Sequence, residues 1–116
     1  MVDQTVTQYG GVDILVNNAA GNFIVPAEKL SVNGWRAVVG IVLDGTFYCS
    51  REVGLRMIAK GRGGAMLNIL AAYAWTGNPG TVHSAAASGS TRACSPSLTR
   101  SEQAPFVLVE VEEEQR

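Results

Sequence analysis

No glycine-rich turn of the G-x-G-x-x-G or G-x-x-x-G-x-G type occurs in the 116 residues, so the usual backbone cradle for a pyrophosphate is absent from this sequence. Cysteine is scarce: Cys49 and Cys94 lie far apart with no second pair. That spacing excludes a zinc-ligand set and a disulfide framework, and it points to a reducing compartment. No metal site is expected. Histidine occurs once, at His83 beside Ser84, with no paired acid in sequence reach, which argues against a general-base or ligand role. The charges nearly cancel at −1 and form no basic cluster, which excludes a phosphate-tracking surface, so nucleic acid is not an expected partner. No run approaches the ~20 apolar residues of a membrane span, so no membrane partner is expected either. The start, Met1-Val2-Asp3-Gln4, has neither a basic nor an apolar leader region, and the end, Glu114-Gln115-Arg116, is not a Ser-Lys-Leu type of address. The expected location is the cytoplasm.

What is present is a chain of 47 % apolar composition, enough for one small domain with a core. Its organising stretch is Asp13-Ile14-Leu15-Val16-Asn17-Asn18-Ala19-Ala20-Gly21. Ile14, Leu15 and Val16 are uninterrupted β-formers, which suits a parallel strand buried on both faces. Asn17 and Asn18 can bond nearby backbone, while Ala19, Ala20 and Gly21 let a flat ligand or another backbone come close. In open α/β sheets ligands sit at the carboxyl ends of strands, so a site is expected here. Tyr9-Gly10-Gly11 reads as a helix end just before this strand. A parallel strand needs neighbours, yet no earlier strand is legible, so the sequence resembles the middle of a domain.

Ser31 can cap a helix. From Trp35, the positions Val38, Val39, Val42, Thr46, Phe47 and Val53 approximate a helical stripe, and a long helix is predicted to about Lys60 with Trp35 and Phe47 in the core. Gly40 and Gly45 inside it imply a bend or a close contact. After Gly61 to Gly64, Ala65-Met66-Leu67-Asn68-Ile69-Leu70 reads as a second buried strand. Strand, helix and strand make one right-handed βαβ unit. A turn-rich loop, residues 71–80, follows at the same carboxyl edge, and residues 81–87 open another helix of small residues. The predicted fold class is therefore α/β.

The motif Asn-Asn-Ala-Ala-Gly-Asn-Phe at 17–23 resembles the Asn-Asn-Ala-Gly motif of the short-chain dehydrogenase/reductase family, and within it the 2,4-dienoyl-CoA reductase branch most. The resemblance covers about Tyr9 to Ala87. It implies the central βαβ portion of a Rossmann-like, doubly wound parallel sheet. It also implies NADP as cofactor, with NAD as the other option, held in part by Asn18, Ala19, Ala20 and Gly21. An acyl-CoA thioester is the implied substrate, and fatty-acid β-oxidation the implied setting. The location would be mitochondrial or peroxisomal in a eukaryote, and full-length members would be homo-oligomers, in many cases paired through the central helix around 41–47.

Most of the family uses a serine after the second strand and a Tyr-x-x-x-Lys on the next helix. Those places hold Ala71, Ser84 and Ser88 here, so the usual triad is missing and a plain ketoacyl or alcohol reductase is disfavoured. The dienoyl-CoA branch takes its tyrosine from the loop in a Tyr-Ala-x-Thr-Gly setting, which Tyr73-Ala74-Trp75-Thr76-Gly77 matches, with a serine at the place of Ser84. Tyr73 and Ser84 are thus the expected catalytic pair, and Phe23 and Asp44 the expected substrate contacts. Hydride addition to a conjugated thioester puts negative charge on the carbonyl oxygen, which hydroxyl or amide donors must stabilise while a weak acid supplies a proton. A phenol, with an ordinary pKa near about 10, needs help from a positive neighbour that Ser88 does not provide.

Beyond Ala87 no helical periodicity is legible. Back-translation of Ser88 to Arg92 read from the second base gives Ala-Gly-Val-Leu, as a relative would have, which suggests a frameshifted end. The expected organisation is a partial Rossmann-type reductase domain over 1–87 and a divergent, disordered or irregular tail over 88–116, in which residues 106–111 could form a strand. The alternative to a reductase is a catalytically inactive remnant that acts at most as an interaction fragment.

Overall fold

The computed structural model describes residues 1–61, 63–99 and 106–113. Helix α1, Val2–Tyr9, ends at Gly10, whose φ of 82° is the left-handed cap that glycine adopts without a Cβ penalty. Strand β1, Ile14–Asn17, follows. A single 3-10 turn at Ala27–Lys29 leads to α2, Val32–Val39, where Ser31 caps as expected by accepting from the Gly34 amide at 3.0 Å. A π turn at Gly40–Asp44 joins α2 to α3, Gly45–Lys60, in one continuous rod. Strand β2 spans Gly64–Ala71, α4 is a single turn at Tyr73–Thr76, α5 runs Val82–Thr99 and β3 spans Phe106–Glu113.

The three strands form one parallel sheet in the order β1-β2-β3, with Asn17 opposite Asn68 and Ala71 opposite Glu113. This is a partial Rossmann-like α/β fold built on the βαβ unit read from the sequence. Met66 and Leu15 pack with Val53 and Met57 of α3 and with Val2 and Val12, which forms one core cluster. Val38, Val42 and Ala87 form a second between the π turn and α5, flanked by Val39 and Leu43.

Side-chain bonds show which face is covered. Asn17 donates to Ser50 of α3, and Asn68, on the same sheet face, donates to Ser95 of α5, so both helices lie on that face. Ile14 and Val16 point the other way and are 67 % and 51 % exposed, which corrects the expectation that β1 is buried on both sides.

Two further expectations change. Trp35 and Phe47 are 38 % and 48 % exposed rather than core residues. At about 100° per residue Phe47 lies about 120° round the helix from Trp35, so it fits the stripe only loosely, and the buried residues of α3 are Ser50, Val53, Gly54 and Met57. The bend anticipated from Gly40 and Gly45 takes the form of the π turn, and a Cβ at Gly40 would meet nothing within 4 Å.

Helix α5 also continues past Ala87, so the expectation of an irregular tail from residue 88 does not hold for 88–99, whereas the strand allowed at 106–111 is present as β3. The buried stripe of α5 is hydroxylic. Thr91 donates to the Ala87 carbonyl at 3.0 Å and Ser95 to the Thr91 carbonyl at 2.8 Å. Bonding back one turn satisfies each hydroxyl, so a polar-looking segment can be buried as a helix. The rest of the predicted tail, residues 100–105 and 114–116, lies outside the described residues.

Candidate active site

The carboxyl ends of β1 and β2 open on one cavity of about 310 Å³. Each wall follows from a local feature of the chain. After β1, the backbone amide of Val25 donates to the Gly80 carbonyl at 3.0 Å, which holds residues 21–25 against the loop before α5. Gly80 itself has φ 77°, and a Cβ there would come within 2.9 Å of Ile24, so this crossing needs glycine. The strap brings the Phe23 ring onto His83, centroids 4.6 Å apart. After β2, the chain turns at once into α4, closed by Gly77 at φ 69°, where a turn-rich loop was expected. Thr81 starts α5 by accepting from the Ala85 amide at 2.8 Å while its hydroxyl donates to the Asn78 carbonyl.

The expected catalytic pair is brought together: the Tyr73 hydroxyl lies 3.1 Å from Ser84 Oγ, with both residues buried. Asn18, Ala20, Gly21 and Phe23 line the same cavity, as do Ser88 and Val42. Ala19 and Asp44 do not. Ala19 faces a separate cleft with Leu15, Ile41 and Cys49, because successive residues leaving a strand point to opposite sides. Asp44 is solvent-exposed and lies on another cleft with Leu43, Phe47, Asn68 and Cys94.

The residue that sequence reasoning missed is Asn22, whose side-chain amide donates to the Tyr73 hydroxyl at 2.9 Å. Its position between Gly21 and Phe23 reads as turn chemistry, and only the strap to Gly80 places it over α4. His83 is fully buried with neither ring nitrogen hydrogen-bonded, consistent with a packing role against Phe23. On α3, hydrogen bonding from Arg56 holds the Glu52 carboxyl below its ordinary range, and the same bond raises Arg56. Among the described residues no three His, Cys, Asp or Glu side chains are placed to hold a metal ion, and no helix is long and apolar enough to cross a membrane.

A buried row of polar side chains supports the site from beneath. Asn17 Nδ2 donates to Ser50 Oγ at 3.0 Å and to Asn68 Oδ1 at 2.8 Å, and Asn68 Nδ2 donates to Ser95 Oγ at 3.2 Å. The row fastens α3, β1, β2 and α5 in one register, and it leaves Asn18 and Ser84 at the cavity above.

A parallel βαβ frame carries a tyrosine, a serine and a wall of Asn18, Ala20 and Gly21 at its carboxyl edge, which is a partial Rossmann-like arrangement. The family model described as short chain dehydrogenase matches residues 1–110, and the chain belongs to that family. It is 53 % identical over 87 residues to a probable 2,4-dienoyl-CoA reductase [(2E)-enoyl-CoA-producing] of Bacillus subtilis, covering 75 % of this chain and 34 % of that protein. It is 40 % identical over 99 residues to the peroxisomal 2,4-dienoyl-CoA reductase [(3E)-enoyl-CoA-producing] of Danio rerio, covering 85 % of this chain and 31 % of that protein. The chain thus spans about a third of the length of these curated relatives. Among solved structures, a short chain dehydrogenase from Bacillus anthracis superposes with a TM-score of 0.82 at 52 % identity, over 85 % of this chain and 41 % of that one. A gluconate 5-dehydrogenase from Burkholderia cenocepacia, crystallised with NADP and tartrate, superposes with a TM-score of 0.89 at 25 % identity, over 97 % of this chain and 44 % of that one.

Proposed function

We propose that this chain carries the proton-donating half of an NADP-linked 2,4-dienoyl-thioester reductase, with NAD as the alternative cofactor. The observation that carries the reading is the contact of Tyr73 with Ser84 beside the wall of Asn18, Ala20 and Gly21. The wall suits a flat ring because Ala20 and Gly21 bring little side chain to it. When bound, the nicotinamide supplies hydride to the conjugated system.

The chain's own residues do the remaining work. Negative charge that develops on the thioester oxygen is met by hydroxyl and amide donors already held in place, which costs no reorganisation at the moment of reaction. Tyr73 gives the proton, because an alcohol such as Ser84 is a far weaker acid than a phenol. The dienoyl-CoA reductase relatives support the acyl-CoA thioester as substrate, and the setting of fatty-acid β-oxidation rests on the same likeness. Phe23 offers an apolar edge to the acyl chain. The proposed roles of Ala19 and Asp44 rest on the sequence resemblance alone, since neither lines this cavity.

The test is a chimaera in which residues 1–87 replace the corresponding segment of the Bacillus subtilis relative. We expect NADPH oxidation with a 2,4-dienoyl-CoA and little with a ketoacyl thioester. A folded chimaera that prefers the ketoacyl substrate would contradict the proposal.

A further inference from the structure

We propose that the cleft between α5 and the rod of the π turn and α3 is a binding site for a small aromatic ammonium ion, with its ring between Leu43 and Phe47 and its charge beside Asp44. The cleft holds about 200 Å³ and shares no lining residue with the Tyr73 cavity. One wall is the rod, which contributes Leu43, Asp44, Thr46 and Phe47. The other is α5, which contributes only Thr91 and Cys94. Helices packed side by side on a sheet leave a gap where the facing side chains are short, and the buried stripe of α5 is made of short hydroxylic residues.

The chemistry of the lining selects the ligand. Asn68 is engaged by Asn17 and Ser95, and the Thr91 hydroxyl by the Ala87 carbonyl. The one charge on the cleft is Asp44, which is solvent-exposed, and among the described residues no Lys, Arg or His side chain pairs with it. An apolar recess with a single carboxylate and an aromatic ring beside it favours a cation carried on an apolar body. The body then leaves water, while the charge stays at the exposed edge, where it keeps most of its hydration. An anion of the same shape is repelled by Asp44, and a neutral one gains nothing from it. The volume lies below the ~300–1,000 Å³ of drug-sized sites, which limits the ligand to one ring on a short arm.

The site stands apart from the proposed reductase chemistry, and its test needs no turnover. Cys94 is exposed on this cleft, whereas Cys49 lies on a different one, so the two thiols report separately. Alkylation of each by iodoacetamide is followed by mass spectrometry on the full chain, with 2-phenylethylamine as the probe and 2-phenylethanol as its neutral counterpart. We expect the amine to slow alkylation of Cys94 but not of Cys49, with half-protection at about a fivefold lower concentration than the alcohol needs. In Asp44→Asn the two probes should protect at the same concentration, and an unchanged Cys49 rate shows that the fold is kept. Equal protection by amine and alcohol in the unaltered chain, protection by neither, or protection of both cysteines alike would overturn the inference. A Cys94 rate that falls with protein concentration before any probe is added would also overturn it, because a second copy would then fill the cleft.

Discussion

Asn17 and Asn68 are buried polar residues, at 9 % and 1 % exposure, and each links its strand to two other elements with one side chain. Asn68 accepts from Asn17 and donates to Ser95, so an apolar replacement strands partners on both sides. Leaving a buried donor or acceptor unmatched costs about 1–3 kcal/mol, more than a typical net hydrogen bond. Asn68→Leu should therefore destabilise by about 2 kcal/mol and Ser50→Ala by about 1, read from urea midpoints at unchanged slope. Equal and negligible shifts in both variants would show that the row is incidental. The sequence makes Asn17 and Asn68 visible as polar ends of apolar strands, but not as partners. Their pairing depends on a strand register that only the folded sheet supplies.

At the scale of elements, β1, β2, the Ser31 cap and the rod ending at Lys60 are legible because each is written in local chemistry: β-branched runs, a capping hydroxyl, a closing glycine. What is not legible depends on geometry accumulated along the chain. The π turn at Gly40–Asp44 is not written in any local signal, and Phe47, about 120° round the helix from Trp35, is apolar yet exposed. Helix α5 is hidden because its buried positions are hydroxyls that look like loop until their back-bonds are seen. The motif at 17–23 and the loop tyrosine point to residues that line the cavity, whereas the bond from Asn22 to Tyr73 and the place of Ser88 on the cavity wall required the fold.

The surface of α3 also carries a testable ion pair. Arg56 donates to Glu52 one turn earlier at 3.1 Å and pairs with Asp3 of α1, which ties that helix to the rod. The Glu52 carboxyl is held below its ordinary value by the Arg56 hydrogen bond, so its contribution is present above the unfolded value, near about 4.3, and is lost as the pH falls through the lowered folded value. Because these groups are solvent-exposed, the effect is small and screened by salt. The urea midpoint should fall modestly between about pH 5 and pH 3, with a smaller fall in Arg56→Gln. An identical fall in both proteins would assign it to other carboxylates.

At the scale of the whole molecule, the described helices cover one face of the sheet, and the other face presents Ile14 and Val16 along an edge strand. An open edge with apolar side chains beside it is a template for pairing. Phe47, Tyr48 and Leu55 add exposed apolar surface on α3, at 48, 61 and 50 %. The 116-residue chain should therefore self-associate with rising concentration and bind an apolar dye, as seen by sedimentation and fluorescence. Ile14→Lys and Val16→Lys together should weaken both. A dye-silent monomer at every concentration would mean that this face is covered in solution.

The central claim is that the proton comes from Tyr73 on α4, although the family's usual tyrosine place, on α5, holds Ser84. The measurement that tests it most directly is steady-state turnover of a 2,4-dienoyl-CoA by the chimaera and its Tyr73→Phe variant, with Ser84→Ala and His83→Ala alongside. Removal of a general acid costs ~10²- to 10⁴-fold, so Tyr73→Phe should lose that much turnover, Ser84→Ala less, and His83→Ala least. A Tyr73→Phe enzyme that kept near-parental turnover would contradict the account.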